Sequence, residues 1–148
     1  MYAKKKLKFA IIGCGSVAID HGIAIEKLGH QIVYGSTKNI HSSNWKFFKK
    51  NFPLTKFLST KEILKNKDID RIISCLPIDE QTKYCKKLLS SKKPILIEKP
   101  LHFNSKELEK IFIQKNIFLK NKAVAYNRRN YEVVSIIKKK IKKNKIKS

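Results

Sequence analysis

The feature that most constrains this chain is the turn Gly13-Cys14-Gly15-Ser16-Val17-Ala18, set between two different hydrophobic periods. Before it, residues 8–12 form a short, nearly continuous apolar run stopped by glycine, which reads as a buried parallel strand. After it, Val17, Ile19, Ile23, Ala24 and Leu28 recur near helical spacing until Gly29 offers a stop. A strand, a turn of small residues and a helix are the context in which a GxGxxA string implies a dinucleotide site. Gly13 permits the tight turn, Gly15 removes a Cβ from the path of a pyrophosphate, and Ala18 keeps helix and strand close. The phosphates would then rest on free N–H groups of residues 13–17 (Gly13, Cys14, Gly15, Ser16, Val17) at the positive end of the helix dipole. The plainer alternative is a glycine-rich strand-to-helix turn that holds no ligand.

The same alternation continues along the chain. Strands are expected at 31–34 (closed by Gly35), 57–58, 71–76, 95–97 and 123–126. Helices are expected at 16–28, 44–50 (capped by Ser43 or Asn44), near 63–64, at 80–90, 105–112 and 131–141. Ser59 with Glu62 three residues on has the form of a capping box for the helix near Ile63. Strands alternating with helices through short connections predict an α/β domain, a Rossmann-like open parallel sheet with helices on both faces. We expect one such domain over residues 1–130, then a linker helix and basic tail over 131–148. Residues 138–148 hold seven Lys, a block expected to repel itself and fray towards its end.

Charge raises a competing reading. With 34 Lys and Arg against 11 Asp and Glu, the chain carries +23, and basic surfaces attract phosphate backbones. Only Arg71, Arg128 and Arg129 are arginine, the residue best suited to bidentate phosphate and base contacts. The excess Lys comes with abundant Ile and Asn, the mark of an AT-rich coding sequence. No helix-turn-helix, zinc finger or aromatic RNA-binding motif is visible, so no specific nucleic-acid partner is expected. Cys14, Cys75 and Cys85 show neither disulfide nor zinc spacing, and no metal site is expected. Lys8 breaks the apolar run that follows Lys4-Lys5-Lys6, leaving it too short for a signal segment, and no stretch approaches a membrane span. These features predict a cytoplasmic protein without a membrane partner.

The segment after the second strand discriminates between cofactors. NAD sites place an acid about 20 residues beyond the turn to accept from the ribose 2′-hydroxyl. Here no acidic residue occurs between Glu26 and Glu62. The strand instead ends in Ser36-Thr37-Lys38, two hydroxyls and a cation that suit a 2′-phosphate. NADP is therefore preferred over NAD. The bland alternative is that Ser36 and Thr37 merely make the turn and that Lys38 is one more solvated lysine.

Further along, residues 69–77 (IDRIISCLP), 94–101 (PILIEKPL) and 125–129 (AYNRR) resemble the glucose–fructose oxidoreductase/inositol dehydrogenase (Gfo/Idh/MocA) family. With the GxGxxA turn, the resemblance covers about residues 7–141. It implies a nicotinamide-dependent oxidoreductase acting on a hydroxyl or keto carbon of a sugar, cyclitol or similar small molecule. It assigns to Lys99 the catalytic role of polarising the reacting carbon–oxygen bond, chemistry an ammonium can perform by stabilising alkoxide charge. It places Glu98 along the ribose, Leu76 and Pro77 on the nicotinamide half of the cleft, and Asn127 and Arg128 near cofactor or substrate. Many relatives carry His where this chain has Gln81, which can hydrogen-bond a ribose or carboxamide but relays no proton at neutral pH. His21, on the first helix, reads as a packing or capping residue. Family members continue into a second α/β domain that supplies the substrate pocket and the oligomer interface. The alternatives are thus a truncated gene product, a domain whose second half is encoded separately, and a non-catalytic or degenerate nucleotide-binding module, with a homo-oligomer or a separately encoded second domain as the candidate protein partner.

Overall fold

β-Branched runs bounded by glycine or proline form the centre of the molecule, and amphipathic helices cover them. The computed structural model describes residues 5–144. In chain order these are β1 (Lys8–Ile12), α1 (Ser16–Lys27), β2 (Gln31–Ser36), α2 (Ser43–Asn51), β3 (Lys56–Phe57) and α3 (Thr60–Lys65). There follow β4 (Arg71–Ser74), α4 (Ile78–Ser90), β5 (Ile95–Ile97), α5 (Ser105–Phe112), β6 (Lys122–Val124) and α6 (Glu132–Asn144). The strands make one six-stranded sheet in the order β3-β2-β1-β4-β5-β6, parallel at every pairing. The expected α/β class, open parallel sheet and single domain are all borne out.

Alternation along the strands sorts side chains onto two faces. Ala10, Ile12, Ile72, Ile95 and Ile97 pack with Ile63 of α3 and Cys85, Leu88 and Leu89 of α4. Ile11, Ile32 and Ile73 pack with Ala18 and Ile25 of α1 and Trp45 and Phe48 of α2. Each face is an apolar layer closed by helices, as crossover connections require.

Several boundaries differ from the sequence reading, each for a local reason. β2 does not close at Gly35 but runs through Ser36, because Gly35 and Ser36 stay paired with Ile11 and Ile12 of β1; a Cβ at Gly35 would come within 2.7 Å of the Trp45 ring and 3.0 Å of Cys14 Sγ. That glycine is a packing position inside a strand rather than a turn. α2 is capped one residue earlier than expected, Trp45 N donating to Ser42 Oγ at 3.2 Å. The box at α3 forms as expected: Glu62 N donates to Ser59 Oγ, and Ser59 N donates to Glu62 Oε2 at 2.8 Å. β4 stops at Ser74, and α4 starts at Ile78 immediately after Pro77, whose fixed φ suits a helix start. α6 continues through Asn144 despite its lysines. The end of the basic tail, for which fraying was expected, lies outside the described residues.

Candidate functional site

The chain leaves β1 towards β2 and β3, then crosses back to lay β4 on the other side of β1. Where strand order reverses, connections diverge and leave a crevice beyond the carboxyl ends of the strands. The loops at this edge are held in line by ladder-like hydrogen bonds past the strand ends. Gly13 N donates to Ser36 O (2.8 Å), Cys75 N to Ile12 O (2.7 Å), Glu98 N to Ser74 O (2.8 Å) and Ala125 N to Ile97 O (2.9 Å). Residues 13, 75, 98 and 125, far apart in sequence, therefore share one rim.

The two glycines of the turn do different work. Gly13 has φ +90°, and a Cβ there would lie 2.6 Å from the carbonyl oxygen of Cys75 and 2.9 Å from Leu76 N. Only glycine lets the first loop press against the end of β4. A Cβ at Gly15 would meet no atom within 4 Å, so its missing side chain leaves open space above the start of α1. No side chain caps that helix and its first turn holds no acid. Ala18 N donates to Gly15 O, and exposed Ser16 and Val17 flank the opening. An uncapped helix start facing open space at the switch point fits a pyrophosphate.

The side chains of the turn are placed less simply. Cys14 is buried, its thiol donating to Ser36 O at 3.5 Å, and burial pushes its pKa to about 12. Cys14 can therefore offer a ligand its backbone alone. Burial, reinforced by the charge of Glu98, also raises the Cys75 thiol far above its usual range.

At the ribose end the structure corrects the sequence reading. Ser36 is buried and its hydroxyl shares a hydrogen bond with Thr60 Oγ1 at 3.1 Å. The extension of β2 turned it inward. The Thr37 hydroxyl donates to Asn39 O at 2.8 Å and accepts from Ser42 Oγ, so it builds the turn. Lys38 is exposed. Lys83 first, and Lys38 to a lesser degree, hold the Glu80 carboxyl below its usual range, which brings the Lys38 ammonium within electrostatic reach of the start of α4.

On the other half of the rim, Leu76 is half-buried and Pro77 exposed between β4 and α4. Gln81 is not at the surface. Its Oε1 accepts from Ser74 Oγ at 2.9 Å beneath the loop, and its Nε2 has no partner among the described residues. A ribose or carboxamide contact by this side chain is thus not formed in this packing. Glu98 and Lys99 follow β5, Lys99 exposed and joined to Pro100 by a cis peptide. Asn127 and Arg128 lie exposed in a short 3-10 turn, 127–130, after β6 on the same rim. His21, read as a packing or capping residue, instead donates from Nε2 to Glu98 Oε1 at 2.8 Å. The signal for this was its position four residues after Val17, on the face of α1 that looks towards the rim. Among the described residues no cluster of His, Cys, Asp and Glu could hold a metal ion, and no helix is long and apolar enough to cross a membrane.

A doubly wound parallel sheet with an uncapped helix start at its switch point defines the class: this is a dinucleotide-binding Rossmann domain. The model of the Gfo/Idh/MocA oxidoreductase family, described by its NAD-binding Rossmann fold, matches residues 7–115, and the chain belongs to that family. A search of curated protein sequences gives no match. Among solved structures, the chain is similar to myo-inositol dehydrogenase from Lactobacillus casei in complex with NAD(H) and myo-inositol. The TM-score is 0.80 at 20% identity, over 94% of this chain and 42% of that one. It is also similar to the WlbA dehydrogenase from Bordetella pertussis in complex with NADH and UDP-GlcNAcA (TM-score 0.76, 17% identity, 94% and 43% covered). A myo-inositol dehydrogenase from Corynebacterium glutamicum gives 0.76 at 16% identity, with 97% and 43% covered. At these identities the likeness is one of fold, and the chain spans less than half the length of each of these proteins.

Proposed function

We propose that this domain binds a nicotinamide dinucleotide along the rim and forms the cofactor-binding part of an oxidoreductase acting on a hydroxyl or keto carbon of a sugar or cyclitol. The observation that carries the reading is the open space over Gly15 at the uncapped start of α1. The bound nicotinamide would supply the hydride acceptor or donor. The chain's own residues then divide the remaining tasks. N–H groups of residues 14–17 hold the pyrophosphate, the Gly13 N–H being engaged by Ser36 O; Leu76 and Pro77 give the nicotinamide half an apolar wall, and Glu98 faces its ribose. The exposed Lys99 ammonium stabilises alkoxide charge at the reacting carbon, with Asn127 and Arg128 at the substrate side of the rim. A substrate must still be held in reacting geometry. In this reading that task falls to a second domain beyond a linker at 131–148, carried by the same polypeptide or by a partner chain.

For the ribose, no carboxylate lies between Glu26 and Glu62 to repel a 2′-phosphate, and Lys38 is the cation placed to meet one. With Ser36 and Thr37 engaged elsewhere, the preference for NADP over NAD rests on one exposed charge, worth roughly 0.2–1 kcal/mol or up to about fivefold. The similar structures named above hold NAD(H) and NADH.

Titration of the chain with NADH and NADPH, followed by nicotinamide fluorescence, tests the reading. Saturable binding below about millimolar is expected for both, with NADPH tighter and its advantage lost in Lys38→Ala. Absence of binding to either would refute the dinucleotide site. Equal affinities in the unaltered chain would refute the role of Lys38. When the chain is assayed with its second domain, Lys99→Ala should abolish turnover and leave NADH affinity in place.

A further inference from the structure

One contact at the rim, between His21 and Glu98, joins its two halves directly through side chains. His21 stands on α1, five residues after the helix begins at the phosphate turn, and Glu98 stands at the end of β5, 77 residues later. The imidazole Nε2 donates to Glu98 Oε1 at 2.8 Å, with both side chains about one-fifth exposed. The second oxygen, Oε2, accepts from Lys99 N at 3.3 Å. A single carboxylate is thus pinned on one side by α1 and on the other by the backbone of the residue assigned to chemistry.

The identity of the partner is informative. In a chain with 34 Lys and Arg, Glu98 is met by a histidine instead of one of those cations. A lysine would place a permanent charge against the carboxylate. An imidazole fixes its orientation through one ring N–H on a short, two-torsion side chain. The pair is also oriented in the sense that matters, since it fixes the loop from which Lys99 projects relative to the helix that would hold the pyrophosphate.

We propose that His21 is a positioning residue for the nicotinamide half of the site, setting the Glu98 carboxylate and through it the backbone that carries Lys99. The inference rests on the dinucleotide reading above and adds a component to it. The adenosine half of a dinucleotide lies over β1 to β3, the nicotinamide half over β4 to β6. Loss of His21 therefore weakens a ligand that reaches Glu98 and spares one that ends at the phosphates.

The test compares NADH with ADP on the chain, His21→Leu and His21→Gln. Leucine keeps the helix and removes the donor; glutamine restores an N–H. His21→Leu is expected to weaken NADH about tenfold, the size of one hydrogen bond to a charged group, while ADP stays within twofold. His21→Gln is expected to recover most of the NADH affinity. Equal loss for both ligands, or no loss for NADH, would overturn the role. Amide exchange without any nucleotide gives a second measure: the Lys99 N–H, which donates to Glu98, should exchange faster in His21→Leu, and an unchanged rate would overturn the proposal. Failure of the unaltered chain to bind either nucleotide would refute the dinucleotide reading itself, and is visible before any variant is made.

Discussion

Gly13 and Gly15 are two residues apart, and the structure predicts that alanine at each fails in a different way. At Gly13 the new Cβ meets backbone atoms, 2.6 Å from Cys75 O and 2.7 Å from Cys75 C, at a φ of +90°. The φ costs an L-residue roughly 1–2 kcal/mol, and forcing β4 and the turn apart adds about 1–3 kcal/mol. The sum of roughly 2–5 kcal/mol is a large share of a domain's stability and corresponds to a Tm lower by roughly 5–20 °C. At Gly15 the Cβ enters open space without strain, so Gly15→Ala should melt within about 2 °C of the parent. It should nonetheless weaken NADH roughly tenfold to a hundredfold, because phosphate oxygens kept off the helix start lose one or two charge-assisted hydrogen bonds. Thermal unfolding by circular dichroism and NADH fluorescence titration, run on both variants, read the two effects separately. A Gly13→Ala variant that melts like the parent would refute the packing argument. A Gly15→Ala variant that binds NADH like the parent would refute the placement of the phosphates.

Three further outcomes are expected. Burial holds the Cys14 and Cys85 thiols near 12 and 11 and Cys75 higher still, so at pH 8 at most roughly one thiol in a thousand is ionised. All three should resist Ellman's reagent in the native fold and react promptly in denaturant; fast native labelling would contradict their placement. Ser59→Ala removes the α3 cap at a cost of about 1 kcal/mol, measurable by urea unfolding. Ser59 also lowers the Glu62 pKa below its ordinary 4.5, so this contribution is present above that pH and lost as pH falls through the lowered value. The difference between parent and variant should therefore shrink in acid, and a constant difference would refute the linkage. Gly22→Ala should destabilise α1 even though alanine is the better helix former by about 1 kcal/mol. Its Cβ overlaps the Phe52 ring, and an equal or higher Tm would show that Phe52 moves aside freely.

The legible part of this protein was that written in short stretches. The strand run before Gly13 and the capping box at Ser59 and Glu62 each act through bonds or periods spanning a few residues, and the structure forms them as read. The site was less legible, and Ser36, Gln81 and His21 show why. Ser36 lies two residues beyond the expected end of β2, and that extension turned its hydroxyl into the core. Gln81 lies in the first turn of α4 near the rim, yet Ser74 at the end of β4 donates to its amide oxygen beneath the surface.

Sequence alone determined that the chain would alternate strand and helix, and that Gly13 to Ala18 would join the first pair. Those outcomes follow from hydrophobic period, propensity and turn chemistry, all local quantities. Which side chains at the rim face a ligand was decided by tertiary structure. A side chain's direction at a strand end depends on register and on what packs above it, and the partner of Glu98 is an imidazole 77 residues away. Helical spacing puts His21 one turn beyond Val17, but it does not name the partner; the pair exists because β1, β4 and β5 lie side by side and bring α1 against the loop that follows β5.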